Sequence, residues 1–470
     1  MKIRSYHLAP SLVLLFLFVL LCLPATGQTD LEAKVDEYIK DHMAAEKIPG
    51  ISVAVMREGK IILAKGYGLA NVEHNVPVKP ETVFQSGSVG KAFTVFAIMM
   101  LVDEGKLKLE DKINRYLTDA PPEWDGITVS DLLEHTSGMG GYPDDFDYRE
   151  DLSEDEMYKF VRATPLAFRL GEKRGYSNLG FVTLGLLIHK VTGKFYGDFL
   201  KERVFTPLGM TTARIISEAD IIPNRAAGYR IVDGELKNQE WVAPTLNTTA
   251  DGALYLSVLD MANFEAALHQ RKLLSPSSYD AMWKKVVTND GVAQPWGFSW
   301  HIKDVNGKKI IGHSGGWQGF TANFDRYPEK DLAVIAFTNR RGANPEVITR
   351  ELMAIFAPEL SIDAIPAIED KEPQVTAIAR DFLVRLGPNK LEATMFAPPA
   401  SEDIFPNRSQ IAGRWLSFGE LQSIELLAHT DKEDGVRDFR YRVRFAKRKL
   451  LITIRFNKEN KISDAFPEWD

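Results

Sequence analysis

Cysteine is almost absent from this chain of 470 residues, and the single one, Cys22, lies near its start. It sits in the apolar run Leu12 to Leu23, behind Lys2 and Arg4 and ahead of the small-residue site Ala25-Thr26-Gly27, the pattern of a secretory signal peptide over residues 1–27. Without that segment the mature protein can form neither a disulfide nor a cysteine metal site. The bulky Leu21 argues against a lipid anchor on Cys22. No longer hydrophobic run occurs, so no membrane span is expected in the mature chain. Charge of one sign is also lacking: loss of Lys2 and Arg4 moves the net charge only from −7 to −9, which gives no reason to expect a nucleic-acid partner. The nine histidines include no His-Glu-x-x-His or comparable cluster, so neither a metal nor a cofactor is expected.

What the chain does contain reads as two folded parts. Helical spacing of Leu31, Val35, Tyr38, Ile39 and Met43 follows a candidate cap at Asp30, and Pro49-Gly50 ends it. Ile51 to Met56 and Ile61 to Tyr67, joined by Arg57-Glu58-Gly59-Lys60, predict a hairpin. Helices and long loops dominate from about 76 to 290, including a Thr128-x-x-Asp131 capping signature and a helical run from Leu179 to Val191. Lys309 to His313, Gly319 to Tyr327 and Leu332 to Thr338 then read as an antiparallel meander, followed by a helix from about Pro345 to Phe356. An early hairpin and a late meander imply one antiparallel sheet assembled from both ends of residues 28–360, flanked by helices and carrying a helical insertion: an α/β, or α+β, architecture.

Residues 361–374, with two prolines and several acids, read as a linker. Beyond it, from 375 to 470, a stripe of Val375, Ala379, Phe382 and Leu386 precedes two alternating strands, giving a small α+β domain. Its Arg440, Arg442 and Arg444 alternate with apolar residues and read as a solvated face rather than an anion site.

Ser88-Val89-Gly90-Lys91 carries the chemistry. Residues three apart on a helix are neighbours, so one turn would bring a hydroxyl nucleophile and an ammonium together at the start of a buried helix ending near Gly105. A capping serine with a surface lysine fits the same pair. No second Ser-x-x-Lys occurs, however, and Tyr176-Ser177-Asn178 is the only Tyr-x-Asn among 14 tyrosines. A phenol of pKa ~10 is a poor base at neutral pH, whereas a tyrosinate beside an ammonium is a good one. Gly312-His313-Ser314-Gly315-Gly316 also spells Gly-x-Ser-x-Gly, but that elbow needs a strand followed at once by a helix, and here another strand follows.

Ser88-x-x-Lys91, Tyr176-Ser177-Asn178 and His313-Ser314-Gly315, in this order, resemble the β-lactamase-related serine hydrolases of the penicillin-binding superfamily, in the branch of class C β-lactamases, esterases and D-peptidases. His135-Thr136-Ser137-Gly138, Thr249 to Phe264 and Trp296 to Trp300 match further, so the resemblance spans roughly residues 30–358. It implies the serine β-lactamase-like fold, with Ser88 acylated and Tyr176 and Lys91 sharing proton transfer. It also implies that Asn178, His313, Ser314 and Gly315 contact substrate and that the backbone N–H groups of Ser88 and Gly316 form the oxyanion hole. His313 stands where the β-lactamases carry a lysine, which favours an esterase or D-peptidase over a dedicated β-lactamase. No counterpart of the class A acidic deacylation base can be placed. The resemblance implies a small-molecule or peptide substrate and, with the signal peptide, a periplasmic location; a penicillin-binding or sensor protein that acylates without turnover is the alternative. The C-terminal part is similar in pattern to cystatin-like or NTF2-like domains.

Overall fold

The computed structural model describes residues 26–215, 220–252 and 254–468. The signal-peptide reading, Cys22 included, lies outside them but for Thr26 and Gly27. Helix α1 spans Thr26–Glu46 and so starts earlier than Asp30, which lies inside it and pairs with Lys34 at 2.7 Å, an i,i+4 ion pair, instead of capping the helix. Strands β1 (Gly50–Arg57) and β2 (Lys60–Asn71) form the expected hairpin. Glu58 and Gly59 both take positive φ at its turn, the geometry that matches strand twist.

The sheet continues with β3 (Val76–Pro77), β4 (His301–Val305), β5 (Lys308–Trp317), β6 (Phe320–Tyr327) and β7 (Leu332–Thr338). Its order is β3-β2-β1-β7-β6-β5-β4, every pairing antiparallel, so β7 from the far end of the segment lies beside β1. Central strands are covered on both faces, which is why they read as continuous apolar runs. Ile51, Val53, Val55, Val334 and Ala336 face α1 and the late helix, while Ala54, Met56, Ala333, Ile335 and Phe337 join the larger core on the other side. Helices α2 (Lys91–Asp103), α3 (Val129–Glu134), α4 (Asn178–Thr192) and α5 (Val258–His269) belong to that larger core, and α6 (Pro345–Phe356) packs beside α1. Thr128 and Asp131 form the anticipated capping box on α3.

The C-terminal part has its own core, in which α7 (Pro373–Leu386) packs on a four-stranded antiparallel sheet of β8 (Leu421–Asp431), β9 (Arg437–Phe445), β10 (Lys449–Phe456) and β11 (Ile462–Glu468). Its arginine face is not the solvated surface expected. Arg442 is buried, donates to the carbonyls of Ile362 and Ile365 at 2.7 Å each and pairs with Glu425 at 2.8 Å. Arg444 and Lys449 clasp Asp363 at 2.6 and 2.8 Å, and Ile362 packs on Leu427 and Leu451. The segment read as a linker is therefore fastened at its start to this sheet, its carbonyls serving as the arginine's partners. Among the described residues no helix is long and apolar enough to cross a membrane.

Candidate active site

Gly87, at φ +50°, turns the chain into a single 3-10 turn, Gly87–Gly90, that runs straight into α2. A Cβ at Gly87 would fall 2.5 Å from the Gly316 nitrogen, and one at Gly315 would fall 2.1 Å from the Ser86 carbonyl oxygen. Two glycines thus let the nucleophile's turn lie flat against β5. Ser88 does not cap α2, whose first turn has no side-chain cap, and Lys91 is not a surface residue but fully buried. Both halves of the capping reading fail.

Lys91 Nζ donates to Ser88 Oγ at 3.1 Å, to Asn178 Oδ1 at 2.8 Å and to the Asp251 carbonyl oxygen. Three oxygens thus surround the nitrogen, as many as it has hydrogen-bond positions to offer. The same nitrogen lies 4.9 Å from the Tyr176 ring centroid and 5.5 Å from that of Phe181. Tyr176 is half-exposed at the end of the loop that feeds α4. Ser177 caps α4 by accepting from the Gly180 N–H at 2.8 Å, which fixes Tyr176 and Asn178 on either side of the cap. Asn178 accepts from Lys91 through its oxygen, and among the described residues its amide NH2 donates to none.

β4 pairs only with Lys308 to Gly312 of β5, so the stretch from His313 to Trp317 keeps one unpaired backbone edge. His313 faces the helical side, its ring 6.2 Å from Tyr176 and 5.9 Å from Trp296. Ser314 alternates to the other face of the strand, on the side of Glu346 of α6, whose carboxyl its hydroxyl helps to hold below the ordinary range; toward the cleft it offers backbone. Gly315 and Gly316 lie against the Ser88 turn. A cavity of 40 Å³ at Ser88 is lined by Gly87, Asn178, Leu246, Asp251, Gly316 and Trp317. Wider cavities of 470 and 260 Å³ elsewhere contain none of these residues.

Behind the cleft lies a hydrogen-bond chain of fixed direction. The Ser177 N–H donates to His135 Nδ1 at 3.1 Å, so the proton of that ring is on Nε2, which donates to Ser299 Oγ at 3.3 Å. The Ser299 hydroxyl then donates to His313 Nε2 at 3.4 Å, and His313 Nδ1–H donates to the Ser314 carbonyl. Both rings are neutral. Burial, reinforced by the Arg174 and Lys91 charges, holds His135 well below its ordinary range, and burial with Lys91 pushes His313 down to about 3. Ser299 and His135 both adopt left-handed backbone, at φ +55° and +61°, a conformation that costs a non-glycine residue roughly 1 kcal/mol or more and persists where surroundings enforce it. Arg174 stacks on Trp296 at 3.8 Å, and its Nε and Nη2 are buried without a hydrogen-bond partner among the described residues.

The structure brings Ser88, Lys91, Tyr176, Asn178, His313, Gly315 and Gly316 to one place. Asp251, Ser299 and Trp317 join them unanticipated. The first two lie in stretches whose match to the family was noted, without a sign in the sequence that a backbone carbonyl or a left-handed serine would matter. Trp317 is the first residue past the glycines.

A family profile described as Beta-lactamase matches residues 35–356. Penicillin-binding protein 4* of Bacillus subtilis is 29% identical over 307 residues, 62% of this chain and 68% of that protein. Unguisins hydrolase ungD' of Aspergillus campestris is 32% identical over 329 residues, 64% of this chain and 60% of that protein. Among solved structures, D-amino acid amidase from Ochrobactrum anthropi has a TM-score of 0.62 at 23% identity, covering 71% of this chain and all of that one. The octameric penicillin-binding protein homologue from Pyrococcus abyssi covers 93% of this chain and 98% of its own, with a TM-score of 0.61 at 24% identity. At those identities the structures speak for the fold, which is that of the serine β-lactamases. With a profile match running from α1 to the end of α6, over a cleft that sets a buried lysine against a serine hydroxyl, the chain belongs to the β-lactamase family of serine hydrolases.

Proposed function

We propose that the mature protein is an exported hydrolase that works through an acyl-enzyme on Ser88, with small esters, amides or D-amino-acid peptides as substrates. The observation that carries this reading is Lys91 Nζ, held at 3.1 Å from Ser88 Oγ while fully buried. Ser88 Oγ attacks the substrate carbonyl and loses its proton to Tyr176, with Lys91 holding the reacting oxygen in place and sharing the proton's path. Backbone N–H groups of Ser88 and Gly316 take the developing oxyanion, a contribution typically worth ~3 kcal/mol per donor. Tyr176 returns the proton to the leaving group, then takes one from the water that cleaves the acyl-enzyme. Asn178 orients the substrate amide. A neutral His313 gives a substrate carboxylate no charge where the β-lactamases place lysine, which supports the esterase or peptidase reading over efficient β-lactam hydrolysis.

Similarity to a protein named as penicillin-binding supports a second reading, in which a β-lactam acylates Ser88 and stays. One experiment separates the two: turnover of a nitrophenyl ester, a chromogenic cephalosporin and a D-Ala-D-Ala peptide by wild type and Ser88→Ala, with intact-mass detection of adducts. Turnover by wild type alone is expected for the ester or the peptide. Equal rates in both proteins would end the catalytic assignment, and a lasting penicillin adduct without turnover would establish the second reading.

A further inference from the structure

The seam between the catalytic part and the C-terminal domain holds a cavity of 260 Å³ that the proposed chemistry does not use. Helices α1 and α6 form one wall of it, and the turn between β9 and β10 forms the other. His42 of α1 lines this cavity while only 5% exposed, and its Nε2 is buried without a hydrogen-bond partner among the described residues. Burial, with the Arg448 charge beside it, pushes the ring down to about 4, so His42 is neutral near pH 7. A buried nitrogen left unsatisfied is a standing cost, and a ligand that bonds to it removes that cost.

The charges around the cavity are sorted by wall. Asp41 and Glu351 stand on the helical side, Lys447 and Arg448 on the turn opposite. Among the described residues neither acid pairs with a cation and Lys447 pairs with no acid, whereas the neighbouring Lys449 is committed to Asp363 at 2.8 Å. An ion of one sign would be attracted by one wall and repelled by the other, while a ligand that carries both signs satisfies both. Between the charges the lining is apolar: the Tyr38 ring stacks on that of His42 with centroids 5.7 Å apart, and Ala45 and Val347 complete the surface. A cavity of about 150 Å³ takes a benzene ring, so 260 Å³ takes such a ring with an amino and a carboxyl group attached.

We infer that this seam cavity binds a zwitterion of amino-acid size, its carboxylate held by Lys447 and Arg448, its ammonium by Glu351 and Asp41, and its apolar side chain laid against Tyr38 and His42. The site shares no residue with the cavity at Ser88 and does not depend on the acyl-enzyme reading. Its occupant bridges the two domains.

Isothermal titration calorimetry with L-phenylalanine, 2-phenylethylamine and 3-phenylpropionate tests it, since the last two keep the ring and carry one charge each. Phenylalanine is expected to bind wild type with a dissociation constant of about 1 mM or tighter, and each single-charge compound about tenfold more weakly or worse. Lys447→Ala and Glu351→Gln should each weaken phenylalanine about fivefold or more. Neither residue lines the Ser88 cavity, so both variants should hydrolyse 4-nitrophenyl acetate as wild type does, which also reports that they are folded. No heat of binding at about 10 mM phenylalanine, equal affinity for the three compounds, or an affinity that neither variant moves would each overturn the inference. The comparison of compounds uses wild type alone, so it decides even if a variant fails to fold. Competitive inhibition of ester hydrolysis by phenylalanine with the same constant would place it in the Ser88 cleft and overturn the inference as well.

Discussion

Acid should weaken this protein through His313, by an amount the structure fixes. The ring is buried and neutral, with a pKa near 3, while in the unfolded chain it titrates near 6.5. A group whose folded pKa is depressed in this way binds its proton only in the unfolded state between those values. Stability is then complete above about 6.5 and falls as pH drops toward 3. Between pH 7.5 and 5.0 the linkage amounts to about 2 kcal/mol for this one residue. His135, held down by the same burial, adds a loss of the same sign. Urea denaturation followed by tryptophan fluorescence at both pH values measures the drop, and His313→Gln supplies the comparison. The variant starts less stable at pH 7.5, because an amide does not fill the buried imidazole's place between Ser299 and the Ser314 carbonyl, but its drop on acidification should be smaller by about 2 kcal/mol. An identical drop in both proteins would show that His313 is hydrated or charged in the native state, and the directed chain from Ser177 to Ser314 would have to be redrawn.

Two further outcomes follow from the cleft. Tyr176→Phe removes only the hydroxyl, so the ring should keep its place over Lys91 while kcat/KM for a nitrophenyl ester falls on the order of a hundredfold or more; unchanged rates would take Tyr176 out of the proton path. Gly315→Ala drives a Cβ to 2.1 Å from the Ser86 carbonyl oxygen, so β5 and the Ser88 turn must separate; activity should fall at least tenfold with a lower melting temperature, and a wild-type profile would contradict the close approach of the two segments.

Much of the frame was legible because its signals are local. The hairpin turn, the meander, α6 and the capping box on α3 each follow from a few adjacent residues, and their strands and helices lie within a few residues of the expected limits. The motif residues were legible as types at fixed offsets. The outer ends were less so: Asp30 has the chemistry of a cap, but the helix extends ahead of it to Thr26 through residues that carry no apolar period. The arginines of β9 illustrate a different limit. Alternation shows which residues share a face but not what covers that face, and the cover here is the start of a segment whose composition signals only flexibility. Asp251 and Ser299 depend on a backbone carbonyl and a left-handed dihedral, which leave no trace in residue type. Ser314 shows the reverse case, where the period of the strand decides against a reading made from the motif.

Helix α2 is buried at every residue from Lys91 to Leu101, apolar on all sides but for Lys91 and Thr94. Such a segment opens only when the whole domain does, so its amides belong to the slowest class of hydrogen exchange. The lysine that serves Ser88 is the first residue of that helix. Fraying at the surface can blunt the loops that shape the cleft, yet the pairing of nucleophile and ammonium persists for as long as any native domain does, and loss of activity on heating should coincide with global melting.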